Sequence, residues 1–194
     1  MPAPGTHTST IEDPQHWVIV GDGLDSGSSA VLRAALPAGS QITELALDAI
    51  TPDTDDSDMV SRNISGADRV VFAPATEADP FAARPAYRLF SVARRLVGAA
   101  VSSGTRPRLH LITRNGAPLA DGDHAVPAHA ALWGLGRTLA LEHPEIWGGV
   151  LDVDASVPGG VVARYLLDEI GAEITRIRWS TGPARVMSRD CVRA

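Results

Sequence analysis

Two groups of residues in this 194-residue chain could do chemistry: a glycine-rich loop, "VGDGLDSG", and a scatter of histidines near carboxylates. In the loop, Gly21, Gly23 and Gly27 follow an apolar run, where backbone N–H groups and a helix N-terminus could hold a pyrophosphate. The spacing is G-x-G-x-x-x-G, one residue longer than the dinucleotide fingerprint, and Asp22 and Asp25 would oppose a bound phosphate. Asp48, after the next apolar run, is the residue that could accept a ribose hydroxyl. The glycines are therefore weak cofactor-binding candidates.

Histidines 110, 124, 129 and 143 could move protons. His110 lies within an apolar strand run and reads as a core histidine. His124 and His129 are five apart across Pro127 and cannot share one helix face. Glu142 and His143 are adjacent, so on a helix they point apart, and Pro144 turns the chain out of helix there. No nucleophile and base occur at a spacing that a catalytic constellation requires, so no residue is assigned as catalytic. The aspartates of "TPDTDDSDMV" read as a solvated loop and helix start, because no second carboxylate cluster balances them, and no metal site is assigned.

Composition narrows the chemistry further. The chain has no lysine, all 17 basic residues being arginine. That excludes a Schiff base, a P-loop lysine and a Tyr-x-x-x-Lys carbonyl-reducing pair. Net charge −6, with no basic cluster denser than Arg94-Arg95, argues against nucleic acid or an anionic membrane surface as partner. A single cysteine, Cys191, allows no internal disulfide and suits a reducing compartment. No apolar run reaches membrane-spanning length and the N-terminus has no signal-peptide pattern, so the expected location is cytoplasmic.

The elements that must position these residues follow from periodicity. Residues 1–12 read as a lead-in or linker, and 13–194 as one domain. Apolar runs at 16–22, 42–47, 69–74, 108–113 and 148–154 read as strands. Helical spacing fills 27–36, 86–104, Pro127 to Glu142 and 159–171. The third of these expected strands precedes the longest amphipathic helix, with Leu89, Val92, Ala93, Leu96 and Ala100 on one stripe. Strands alternating with such helices imply an α/β fold: a truncated, Rossmann-like, three-layer arrangement with a mostly parallel sheet and helices on both faces. The C-terminal stretch alternates apolar and charged residues around Thr-Gly-Pro, and reads as a hairpin added at the sheet edge.

One segment, "HAALWGLGRTLALEHPEIWGG" (129–149), puts glycines inside a helix, where each costs about 1 kcal/mol against alanine. Ala128, Ala131, Leu132, Leu135, Thr138, Leu139 and Glu142 recur at spacings of three and four. Small residues at Ala131, Gly134 and Gly136 would admit a strand or helix backbone at close range, with Trp133 and Trp147 capping the gap from either end. Trp133, Gly134, Leu135, Gly136, Arg137, Glu142, His143, Pro144, Trp147, Gly148 and Gly149 together form the expected packing seam.

The stretch that holds "LITRNGAPL…VPAHAALWGLGRTLALEHPEIWGGVLDVD", from Leu109 to Asp154, resembles the structural half of ketoreductase domains in type I polyketide synthases. A strand ending in Thr-Arg, an Ala-x-x-Trp-Gly-Leu-Gly-Arg helix, a Glu-His-Pro turn and a Gly-Gly strand carry the resemblance. The Tyr-x-x-x-Trp strand that usually opens such a half is missing before His16. The resemblance implies a noncatalytic scaffold that holds no cofactor itself. NADPH and the catalytic Lys, Ser and Tyr would belong to a second, catalytic half, active or degenerate, as in pseudo-ketoreductases. Implied partners are that half and the neighbouring dehydratase, enoylreductase and acyl carrier protein domains. From the residues alone, a free-standing nucleotide-binding oxidoreductase or transferase using the Gly21–Gly27 loop, or an independent protein-interaction module, remain alternatives.

Overall fold

The computed structural model describes residues 11–50, 57–76, 83–117, 125–171 and 184–187. Short apolar runs form β1 (His16–Val20), β2 (Gln41–Leu45), β3 (Arg69–Phe72), β4 (Arg108–Arg114) and β5 (Trp147–Val153), with β6 (Ala184–Met187) last. Helices α1 (Ser26–Ala35), α2 (Ser57–Ile64), α3 (Ala83–Ser102), α4 (Pro127–Glu142) and α5 (Gly159–Gly171) lie between them. The sheet order is β2-β1-β3-β4-β5-β6. The first five strands run parallel, and β6 pairs antiparallel with β5. The expected hairpin is thus represented by β6 alone; its other arm falls outside the described residues.

Alternation along the strands sorts side chains into two cores. Val18 and Val20 of β1, Val70 and Phe72 of β3, and Leu109 and Leu111 of β4 pack with apolar residues of α2, α3 and α4. Trp17 and Ile19, Val71, Ile112, Leu151 and Val153 face the other way, toward Leu32 of α1 and Val162, Ala163 and Leu166 of α5. Central strands buried on both faces are what a parallel sheet between helix layers demands. The α3 stripe Leu89, Val92, Ala93, Leu96 and Ala100 is fully buried, as its period requires. Ile11 already packs against the second core, so the packed chain begins inside the expected 1–12 lead-in.

The glycine pair after Trp147 has a definite cause. Between β4 and β5 the register shifts, from Leu109 opposite Trp147 to His110 opposite Gly149, which leaves Gly148 as an extra residue. A β carbon on Gly148 would stand 2.7 Å from the His110 ring, and Gly149 takes φ +134°. The pair is a β-bulge that makes room for a buried histidine, and side chains at either position would oppose it.

Candidate functional site

In a sheet ordered 2-1-3-4-5 the loops diverge beyond the carboxyl ends of β1 and β3, and that crevice is where doubly wound folds receive ligands. Here the glycine loop lies against the chain that follows β3. The Gly21 N–H donates to the Leu45 carbonyl at 2.9 Å and the Gly23 N–H to the Ala73 carbonyl at 2.7 Å. A β carbon on Gly21 would lie 2.6 Å from the Ala73 oxygen, and one on Gly23 2.6 Å from the Pro74 oxygen. These glycines let one loop lie against another, and both N–H groups are already used. Gly27 sits in the first turn of α1, beside Asp25.

Asp25 takes the N-terminus of α1 itself. Its carboxylate accepts from the Ser28 N–H and the Ser28 hydroxyl, both at 2.8 Å. The Ser28 hydroxyl, then the Ser28 N–H, hold the Asp25 carboxyl below its ordinary pKa. A β carbon on Gly159, where α5 begins, would run into the Ser28 Oγ and stand 2.7 Å from Asp25 Oδ1, so the start of α5 lies against the same cap. Arg114, at the end of β4, spans the loops: its guanidinium donates to the Gly23 carbonyl at 3.0 Å, the Val157 carbonyl at 3.1 Å and the Ala155 carbonyl at 3.3 Å. Burial lowers the Arg114 pKa, while Asp25 and Asp154 act to raise it.

A second polar cluster lies beside this one. Asp152 and Thr113 are register partners on β5 and β4, and the Thr113 hydroxyl donates to Asp152 Oδ1 at 2.7 Å. The Gly116 and Ala117 N–H groups donate to the same carboxylate at 2.8 and 3.2 Å. Trp133 of α4 donates its indole N–H to Thr113 Oγ1 at 3.0 Å, and its ring fills the space where a Gly116 side chain would stand. His129 Nδ1 accepts from the Arg114 N–H at 3.2 Å. Burial lowers the His129 pKa, against the nearby charge of Asp152 and the Ala75 backbone, which raise it. This cluster was not picked out from sequence. The signal was a threonine and an aspartate interrupting otherwise apolar central strands, where a polar group must find a partner.

The structure distributes the expected seam rather than concentrating it. On α4 the buried residues are Ala128, His129, Leu132, Gly136, Leu139 and Ala140, with Trp133 and Leu135 partly buried against the core. Gly136 faces inward, but Gly134 is exposed and a β carbon there would meet nothing within 4 Å. The expectation that both glycines lie against a backbone is therefore corrected. Two residues apart on a helix means about 200° around its axis, so both cannot face in. Thr138 and Glu142 likewise face solvent, as does Arg137. At the helix end, the His143 N–H donates to the Leu139 carbonyl at 2.9 Å, and His143 Nδ1 lies 3.3 Å from Glu145, not from Glu142. Pro144 is exposed and its carbonyl accepts from Arg108 at 3.0 Å. Trp147 is fully buried where β5 begins.

The remaining candidates lie apart from these clusters. Asp48 is exposed and pairs with Arg88 of α3. His110 is buried in β4, where the Arg69 guanidinium meets its Nε2 at 3.3 Å, and burial with Arg69 and Arg108 nearby lowers its pKa to about 3. His124 and the aspartates at 53, 55 and 56 fall outside the described residues. Among the described residues no three His, Cys, Asp or Glu side chains converge as metal ligands. Among them, too, no helix is long and apolar enough to cross a membrane.

A doubly wound α/β domain with loops, a helix cap and an arginine bonded to one another at the carboxyl edge of its sheet is the class these features define. The chain belongs to the family described as the Rossmann fold domain of the polyketide synthase extender module SpnB, which it matches over residues 17–173. It is similar to a phenolphthiocerol/phthiocerol polyketide synthase of Mycobacterium tuberculosis, at 37% identity over 155 residues, 78% of this chain and 10% of that protein. It is also similar to 5-methyl-1-naphthoate synthase of Streptomyces sahachiroi, at 35% identity over 66% of this chain and 8% of that protein. The chain thus spans about a tenth of the length of these relatives. Its fold matches that of a C2-type ketoreductase from a modular polyketide synthase, with a TM-score of 0.63 at 23% identity, covering 84% of this chain and 37% of that one. The first ketoreductase of the tylosin synthase gives a TM-score of 0.59 at 20% identity, covering 91% and 39%.

Proposed function

We propose that this chain is the noncatalytic structural half of a ketoreductase or pseudo-ketoreductase region in a cytoplasmic type I polyketide synthase. It supports a catalytic half and helps position neighbouring dehydratase, enoylreductase and acyl carrier protein domains. The observation that carries this reading is the self-satisfied carboxyl edge of the sheet. The Gly21 and Gly23 N–H groups are bonded to other backbone, Asp25 caps α1, and Arg114 is spent on three carbonyls. A pyrophosphate would have to displace a carboxylate of its own charge sign and break those backbone bonds. Cofactor chemistry then belongs to the catalytic half, which would bind NADPH.

Titration calorimetry with NADPH and NADH tests the reading. The chain alone gives no binding heat at concentrations where reductases saturate; stoichiometric micromolar binding overturns the assignment and favours a nucleotide-dependent enzyme. The contact with the catalytic half is assigned to the β6 side, where an antiparallel strand ends the sheet among the described residues and its outer edge can accept a further strand or loop. Sedimentation of the chain mixed with a catalytic half measures that contact. A complex at tens of micromolar that is lost when the chain is cut after Pro183 is the expected result, and two folded, non-associating pieces would mean that the domain is a spacer.

A further inference from the structure

We propose that the junction between β4 and α4 is an acid-sensitive latch whose moving part is the His129 imidazole. The latch stands on hydrogen-bond geometry. The Arg114 N–H, the last of β4, donates to His129 Nδ1, which must therefore carry a lone pair, leaving the ring proton on Nε2. His129 is only 1% exposed, and its Nε2 has no well-formed hydrogen-bond partner among the described residues. A second proton on the ring would turn Nδ1 from acceptor into donor, facing another donor inside the protein. Two N–H groups cannot share that position, so protonation breaks the bond that ties the first turn of α4 to the end of β4.

The surroundings give the charged ring somewhere to go. Three groups act on it: the Asp152 carboxylate on β5 and the Ala75 backbone after β3 favour the charged form, and Arg114 on β4 disfavours it. Asp152 is at present held by the Thr113 hydroxyl and the Gly116 and Ala117 N–H groups. An imidazolium leaving Arg114 competes with those donors for the carboxylate. Thr113 also receives the indole N–H of Trp133, one turn along α4, so the exchange reaches the helix at a second point. His110, buried in β4, has no such alternative: its neighbours in charge are Arg69 and Arg108.

The test uses the whole 194-residue chain, with the His129 ring followed by NMR and the Arg114 amide by hydrogen exchange between pH 7 and pH 4. The expected result is an imidazole titrating below its ordinary value, with Arg114 protection falling in step, about tenfold per pH unit below that midpoint. Amides of β1, which acid reaches only through the global stability of the sheet, lose less protection than Arg114 over the same range. His129→Asn, which puts a carbonyl oxygen in place of Nδ1, is expected to keep Arg114 protected and to remove the pH dependence. His129→Leu, which offers no acceptor, is expected to leave Arg114 weakly protected at every pH. The proposal is overturned if Arg114 protection ignores the titration of His129, if the Asn variant keeps the full acid response, or if β1 loses as much protection as Arg114.

Discussion

The two ends of the parallel sheet bury charge in opposite ways. At the amino end, Arg69 lies beside Arg108 in register, with its guanidinium 5.8 Å from the Trp17 ring centroid and its Nε donating to Gln15 at 3.1 Å. Burial, and after it the charges of Arg69 and Arg108, favour the neutral form of the adjacent His110. At the carboxyl end a buried aspartate collects three donors, and a buried arginine is spread over three carbonyls. One end tolerates cations by keeping its histidine uncharged; the other matches each charge with hydrogen bonds. The carboxyl end is where doubly wound folds do their chemistry, and here Asp152 and Arg114 bond to the chain's own strand ends and loops.

The largest expected effect is at Asp152. Replacing it with Ala strips acceptors from a hydroxyl and two N–H groups near the sheet, two of them in buried residues, and is expected to cost about 3 to 5 kcal/mol. Asp152→Asn keeps one carbonyl oxygen and is expected to cost less. Urea unfolding of both variants checks the order; equal and small losses would mean that the carboxyl end is not held as described.

Acid should find the amino end through His110. Its folded pKa of about 3 lies below the ordinary 6.5, so between those values the unfolded chain binds a proton that the folded chain refuses. Stability on this account is intact above pH 6.5 and falls as pH falls toward 3, by about 1.4 kcal/mol per pH unit for this one group. His110→Gln is expected to flatten that part of the curve. Urea midpoints at pH 7, 6 and 5 measure it, and an unchanged slope in the variant would assign the acid loss to other groups.

Much of this arrangement was legible from sequence, and the reasons differ by region. Strands β1, β3, β4 and β5 and the stripe of α3 announce themselves by apolar runs and by a helical period, which are local properties. The resemblance of the Leu109–Asp154 segment gave the family. The Asp152 cluster was not legible, because joining Thr113 to Asp152 needs the register of two strands 39 residues apart. The phase of α4 was misread because alanine, glycine and threonine mark a helix face weakly. Leu132 and Leu139 are buried in the true stripe, and Gly136 falls between them, whereas Thr138 and Glu142 fit the spacing without fitting the core. The bulge at Gly148 likewise depends on His110, which lies in another strand.

Glycines separate packed from open positions on a smaller scale. Gly148→Leu drives a side chain into the His110 ring, and Gly136→Leu adds volume to the buried face of α4; each is expected to cost about 1 to 3 kcal/mol. Thermal unfolding reads both, and a melting temperature unchanged by Gly136→Leu would mean that this face is not packed.

The smallest effect, and the most discriminating, is at Gly134. It lies in the middle of α4, exposed, with open space where a side chain would begin, and Thr138 one turn on donates its hydroxyl to the Gly134 carbonyl at 3.3 Å. No contact within the described chain accounts for a glycine there. Gly134→Ala should therefore gain up to about 1 kcal/mol from helix propensity alone, opposite in sign to the loss at Gly136. Melting curves of the two variants side by side decide whether the faces of α4 differ as described. A loss at Gly134 would place that surface against something in the folded chain. The same variant measured in complex with a catalytic half extends the comparison: a gain that persists leaves the face open there, and a gain that turns into weaker association puts a partner backbone against it.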